Sequence, residues 1–281
     1  MTGYASDFLG PELPLPGTAA GRLIRVLDYE HFTVQLDPVR RLAAATSVNI
    51  DGSLLRDVAR SDDWHLDDRV PADEQAGPQL YARNDLDRGH LVRRRDPVWG
   101  TAAAARRANV DSFVYTNAAP QAAGFNQSKE LWVGLEDHVL EHARANRQRL
   151  SVFTGPVFAG DDPEYRGVRI PRLFWKAAAW ATSAGLAATA YVLDQTPALD
   201  DVDLDTARAI AAGDPPPLGP FRTFQVPVSD VASLTGLDLG DLVAADVLVA
   251  AAARPGPVPW RPLRAPGDMV LGPLADSASR G

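Results

Sequence analysis

Asp87-Arg88-Gly89-His90 bring an acid, a guanidinium, a flexible backbone position and an imidazole together in four consecutive residues. An imidazole can take a proton from water near neutral pH. A guanidinium forks onto phosphate oxygens, and glycine lets a backbone bend without a Cβ penalty. Phosphodiester hydrolysis needs an activated water, charge stabilisation at the phosphorus and help for the leaving oxygen. His90 is therefore a candidate general base and Arg88 a candidate phosphate ligand, with an ion pair to Asp85 or Asp87 as its alternative role. Asp87 reads as an orienting residue and Gly89 as the position that permits a bend. A tetrapeptide recurs by chance, so its weight rests on the motifs around it.

Downstream lie Thr116-Asn117-Ala118-Ala119-Pro120-Gln121 and Phe125-Asn126-Gln127. Leu131, Trp132, Leu135, Glu136 and Val139 then recur at helical spacing. Phe153-Thr154-Gly155-Pro156 and Ile170-Pro171-Arg172-Leu173-Phe174-Trp175-Lys176 come next, and Asp28-Tyr29-Glu30-His31-Phe32 and Val48-Asn49-Ile50-Asp51-Gly52 precede. This ordered set resembles the DNA/RNA non-specific endonuclease family, the ββα-metal group of Serratia-type nucleases and mitochondrial endonuclease G. The likeness runs from about residue 25 to about residue 245. It implies an α+β fold, a central antiparallel sheet flanked by helices with a ββα-metal unit carrying the site. It also implies metal-dependent cleavage of DNA and RNA with little sequence specificity, leaving 5′-phosphate ends.

The resemblance assigns further residues. Asn126 would ligate Mg²⁺, with Mn²⁺ able to substitute; a neutral amide oxygen suits a hard cation that keeps most of its waters. Its alternative role is to cap the helix beginning at Gln127. Asn117 would hold the geometry by hydrogen bonds, or serve only as a turn residue. Glu136 would supply the acidic partner, although it lies ten residues after Asn126, a longer spacing than the family's, and Glu130 rivals it. A family arginine upstream of the tetrapeptide has Arg60, before Trp64, as a loose counterpart. Family members include dimers, so a homodimer and an inhibitory or activating partner stay open.

Other chemistries have weaker signals. His138-Val139-Leu140-Glu141-His142 fits a zinc-protease pattern, with helix-edge histidines as the bland alternative. Asp62-Asp63-Trp64-His65-Leu66-Asp67-Asp68 could hold a cation or form a solvated loop. A nucleic-acid-binding module without catalysis is the rival of another class. No P-loop occurs. Cysteine is absent, which removes disulfides and thiolate metal sites.

The formal net charge is −8, which argues against wrapping nucleic acid through overall charge. The distribution is uneven, however. Arg83, Arg88, Arg93, Arg94, Arg95, Arg106 and Arg107 crowd around the motif, while acids gather from Asp57 to Asp73 and Asp194 to Asp205. A local basic groove on an acidic protein fits this pattern. Residues 1–21 read as a polar Pro/Gly arm with no signal peptide, favouring a cytoplasmic location. Residues 22–253 read as the nuclease domain and 254–281 as a Pro-rich tail. Ala177 to Leu193 is apolar but interrupted, so it predicts two strands and a turn rather than a membrane span.

Periodicity predicts the elements that must position the motif. Phe32 to Leu36 alternates in period two and predicts a strand, with Asp37-Pro38 as a turn and Ala43 to Ile50 as its partner. Asp85 to Leu91 predicts a short element, then an Arg-rich loop and a helix over Ala102 to Asn109. Phe113 to Thr116 predicts a strand delivering Asn117. Helices are predicted over Gln127 to Gln148, over Asp205 to Ala212, and from Val228, capped by Ser229 or Asp230.

Overall fold

A computed structural model describes residues 3–122, 144–196, 222–252 and 256–271, with the single positions 141, 209 and 212. Its strands are β1 (Arg25–Tyr29), β2 (Phe32–Asp37), β3 (Leu42–Asp51), β4 (Leu86–His90), β5 (Ala118–Ala122) and β6 (Arg149–Val157). After them come β7 (Glu164–Tyr165), β8 (Val168–Arg169), β9 (Leu173–Thr182), β10 (Gly185–Asp194), β11 (Arg222–Val226) and β12 (Arg261–Pro262). Eight of them form one antiparallel sheet in the order β1-β2-β3-β6-β9-β10-β11-β12. Two small two-stranded sheets, β4-β5 and β7-β8, stand apart from it.

The alternation of strand side chains divides the core between the two faces of this sheet. On β9, Phe174, Ala178 and Trp180 join one cluster, while Trp175, Ala177 and Ala179 join the other. On β10, Ala187, Tyr191 and Leu193 go one way, and Ala188, Ala190 and Val192 the other. Both faces are covered, which is why Ala177 to Leu193 reads as an almost unbroken apolar run. Gly185, at φ +124°, turns the hairpin between the two strands. Full burial of each large side chain here, such as Trp175 or Phe174, contributes about 1.5–3 kcal/mol.

The first of these clusters carries the site. Leu91, Val92, Val114 and Ala119, from around the β4-β5 hairpin, pack in it with Phe32, Val34 and Ile50 of the sheet. The opposite face is covered by Phe8, Leu9 and Leu13 and by Val228 and Val231 of the helix Val228–Thr235. The stretch read as an arm is thus tied down. Its Tyr4 N–H donates to Thr33 Oγ1 (2.9 Å), Ala5 N–H to Asn49 Oδ1 (2.7 Å), and Gly17 bridges Asp238. Part of the Pro-rich tail is tied down as well. β12 pairs with β11, and the Gln225 amide bonds both backbone groups of Val270.

Two local expectations are corrected. No strand runs from Phe113 to Thr116. Val114 makes a single bridge to His65, and Tyr115–Asn117 is a 3-10 turn in which Asn117 N–H donates to Val114 O; the strand begins only at Ala118. The helix from Val228 is not capped by Ser229 or Asp230. Pro227 occupies the cap, and the Val228 N–H is satisfied from another element, by the Asp246 carboxylate at 2.7 Å. The predicted helices over Gln127 to Gln148 and Asp205 to Ala212 lie mostly outside the described residues. Among the described residues, no helix is long and apolar enough to cross a membrane.

Candidate active site on the β4-β5 hairpin

In β4, Arg88 and His90 are two residues apart, so both side chains project from one face of the β4-β5 pair. Asp87 and Gly89 belong to the other face, opposite Gln121 and Ala119 of β5. Gly89 is needed there for space rather than for bending. Its backbone lies in a strand with no positive φ, and a Cβ would meet the Gln121 side chain at 2.1 Å. The expected bend is therefore replaced by a close crossing.

Asn117 fixes the two residues after the histidine. Its backbone O accepts from Leu91 N–H (2.9 Å) and its Oδ1 from Val92 N–H (2.8 Å). Its Nδ2 donates to Val92 O and Ser112 O, both at 3.0 Å. The side chain is fully buried, and its amide is engaged with backbone on both its oxygen and its nitrogen. Asn117 thus holds the chain immediately after His90 by hydrogen bonds and reaches no open space.

Aromatic rings enclose the imidazole. Trp64 lies with its ring centroid 4.6 Å from that of His90, and Phe113 meets it edge-on at 5.1 Å. Trp64 also packs on Phe113 (5.4 Å) and Tyr115 (5.7 Å), and Tyr115 stacks on Tyr81 (6.0 Å). Guanidinium groups rest on this cluster, Arg88 over Trp64 at 5.3 Å and Arg60 over Phe113 at 5.3 Å. Among the described residues Arg88 has no ion-pair partner, so a pair with Asp85 or Asp87 is not formed. Arg60 pairs with Asp62 at 3.0 Å, and Arg94 donates to Val58 O and Asn109 Oδ1.

This setting strips His90 of its proton. Part of the residue remains accessible, but Nε2 is enclosed and has no hydrogen-bond partner. Burial pushes its pKa down to about 3, helped by the positive charges of Arg60, Arg94 and Arg88 against the opposing charge of Asp62. Arg94 itself is lowered, by burial first and then by Arg60, Arg95 and Arg93. At neutral pH the site therefore presents a neutral imidazole among crowded cations. Such an arrangement can accept a proton and hold an anion.

Of the expected site residues, the structure brings together Arg88, His90 and Asn117. Asn126, Glu136 and the rival Glu130 lie outside the described residues, as do His138 and His142. Glu141, the acid of the zinc-protease pattern, is 3.2 Å from Arg95. In the acidic loop, Asp67 is engaged by Tyr29, Arg69 and Gln75. Among the described residues no group of three or more His, Cys, Asp or Glu is arranged to hold a metal ion. Phe113, Tyr115 and Tyr81 had no sequence signal as site residues; Trp64 had one, as the tryptophan that follows Arg60 in the resemblance. Arg60 had one, its place before Trp64.

Comparison with known proteins places this geometry. A model of the DNA/RNA non-specific endonuclease family matches residues 11–246. An uncharacterized protein of Sinorhizobium fredii, y4fB, is 40% identical over 289 residues, 95% of this chain and 42% of that protein. A nuclease of Nostoc sp. is 27% identical, with 67% of this chain and 63% of the relative covered. Mitochondrial endonuclease G of Bos taurus is 26% identical, with 62% and 54% covered. The chain thus spans between 42% and 63% of the length of these curated relatives. Among solved structures, one of the EndoG/EndoGI complex superposes with a TM-score of 0.57. It covers 78% of this chain and 87% of that one at 20% identity, a likeness of fold.

Proposed function

The chain belongs to the DNA/RNA non-specific endonuclease family, and on that premise we propose that it hydrolyses phosphodiester bonds of DNA and RNA. The reaction is metal-dependent, shows little sequence specificity and leaves 5′-phosphate ends. One observation carries the reading: His90, neutral at physiological pH and partly accessible, shares a strand face with Arg88 and has no polar partner at Nε2. A base must begin without its proton, and this one does.

In this mechanism His90 takes the proton of the attacking water. Arg88 binds a phosphate oxygen, and Arg60 and Arg94 add positive field. Asn117 keeps the strand end in place without touching substrate. Phosphate contacts carry no base identity, so specificity is low. The Asn126 amide would hold Mg²⁺, or Mn²⁺ in its place, and Glu136 or Glu130 would supply the acid. Bound there, the metal supplies charge stabilisation to the phosphate and the leaving oxygen. The donor chemistry fits a cation recruited with its substrate. The surroundings of His90 are rich in arginine, so a divalent ion on a neutral amide gains from the negative charge that the phosphate brings.

The nuclease unit would span residues 22–253, with the described parts of its flanking segments folded onto it, and act in the cytoplasm. A solved structure of similar fold is that of the EndoG/EndoGI complex, in which EndoG is inhibited; for this chain we likewise propose control by a protein partner, with homodimerisation as a second level. The testing experiment incubates the purified chain with supercoiled plasmid and with single-stranded RNA, with Mg²⁺ and with EDTA. Degradation of both substrates in Mg²⁺, loss in EDTA and 5′-phosphate ends are expected. No cleavage of either substrate with Mg²⁺ or Mn²⁺ overturns the reading.

A further inference from the structure

We propose that Trp64 is a positioning residue that holds the two working side chains of β4, Arg88 and His90, against one aromatic plate. The inference rests on the nuclease reading and names a residue that the reading does not use.

Period-two alternation puts Arg88 and His90 side by side on one strand face, and the Trp64 ring touches both. Its centroid is 4.6 Å from the His90 ring and 5.3 Å from the Arg88 guanidinium carbon. Among the described residues, neither group has a polar restraint to replace this contact. His90 Nε2 has no partner, and Arg88 forms no ion pair. The plate itself is anchored. His65 N–H donates to Phe113 O (3.1 Å) and Tyr115 N–H to His65 O (2.9 Å), which fixes the backbone next to Trp64. Phe113 and Tyr115 then close on the indole from the other segment of this bridge. Packing restrains the imidazole. Attraction between cation and ring restrains the guanidinium.

The two restraints have different chemistry, so they separate by substitution. Trp64→Phe keeps a ring and should stay near wild type in both kcat and KM. Trp64→Leu keeps apolar bulk but no π face. It should raise KM severalfold, about threefold to tenfold for a lost interaction of 0.6–1.4 kcal/mol, with kcat largely kept. Trp64→Ala should lower kcat as well, because the imidazole loses its packing.

The experiment measures kcat and KM on an oligonucleotide for the full chain and these variants in Mg²⁺, with thermal melts alongside. It also measures Arg88→Ala and Arg88→Ala/Trp64→Leu. If Trp64 acts through Arg88, Trp64→Leu adds no further rise in KM once Arg88 is gone. Equal kcat and KM in wild type, Trp64→Leu and Trp64→Ala would overturn the inference while leaving the nuclease reading intact. So would KM effects that multiply in the double variant. An inactive wild type would instead reject the nuclease reading. Should Trp64→Ala not fold, the Phe and Leu variants still decide through the KM split.

Discussion

The turn around His31 and the strand around His90 each enclose an imidazole among aromatic rings, yet they treat it in opposite ways. His31 stacks on Trp99 with centroids 3.6 Å apart. Its Nδ1 is 2.8 Å from Pro97 O and its Nε2 is 3.3 Å from Glu30 Oε1. Each nitrogen faces a polar neighbour, and Arg107 neutralises the Glu30 carboxylate from the far side at 3.1 Å. His90 has comparable ring contacts, but its Nε2 is bonded to nothing. Burial lowers the pKa of both. A low pKa and an aromatic cage therefore do not mark a working histidine. We propose that an unpartnered ring nitrogen does, together with a guanidinium two residues away.

Removing the clamp behind His90 should have the largest effect on stability. Asn117→Ala leaves Val92 N–H, Val92 O and Ser112 O without their amide partner. At about 1–3 kcal/mol for each buried group, the loss should be about 3 kcal/mol or more. Thermal melting should show it as a drop of several degrees, with activity falling too because the end of β4 moves. Wild-type stability in this variant would mean that Asn117 holds nothing.

His31→Ala comes next. It should destabilise by about 2 kcal/mol, through the orphaned Pro97 O and the lost stacking on Trp99, while the folded fraction cleaves DNA at the wild-type rate. A variant of normal stability and reduced turnover would reverse the roles of the two histidines.

A further effect is in pH. The unfolded chain protonates histidine near its ordinary value of about 6.5, whereas folded His90 does so only near 3. Its folded pKa is depressed, so its neutral form contributes stability that is fully present above about 6.5. That contribution is lost as pH falls through the window toward 3. The melting temperature of wild type should therefore fall more steeply between pH 7 and pH 4 than that of His90→Ala. Parallel curves would contradict a depressed pKa.

Much of the fold was legible in the sequence where the signal was local. Alternation gave β2 and β3, and a broken apolar run gave the β9-β10 hairpin. Asp85 to Leu91 was legible as a short element, and the structure makes it the strand β4. The rest depends on residues far apart in the chain. The cage of His90 takes Trp64 from an acidic loop and Phe113 from the end of a helix, and nothing in either neighbourhood announces an aromatic contact. Asp246 caps a helix that begins 18 residues earlier. Gly89 reads as a hinge because glycine bends freely, but its missing side chain answers to Gln121 on the neighbouring strand. Asn117 was legible as a bonding residue, although not as one so fully enclosed that substrate cannot reach it.

The most direct test is the single-turnover rate of DNA cleavage by His90→Ala in Mg²⁺, on protein whose melt and circular dichroism match wild type. A general base contributes about 10²- to 10⁴-fold, and a fall of that size is expected. An unchanged rate on the matched fold would contradict the assignment of His90 as the base.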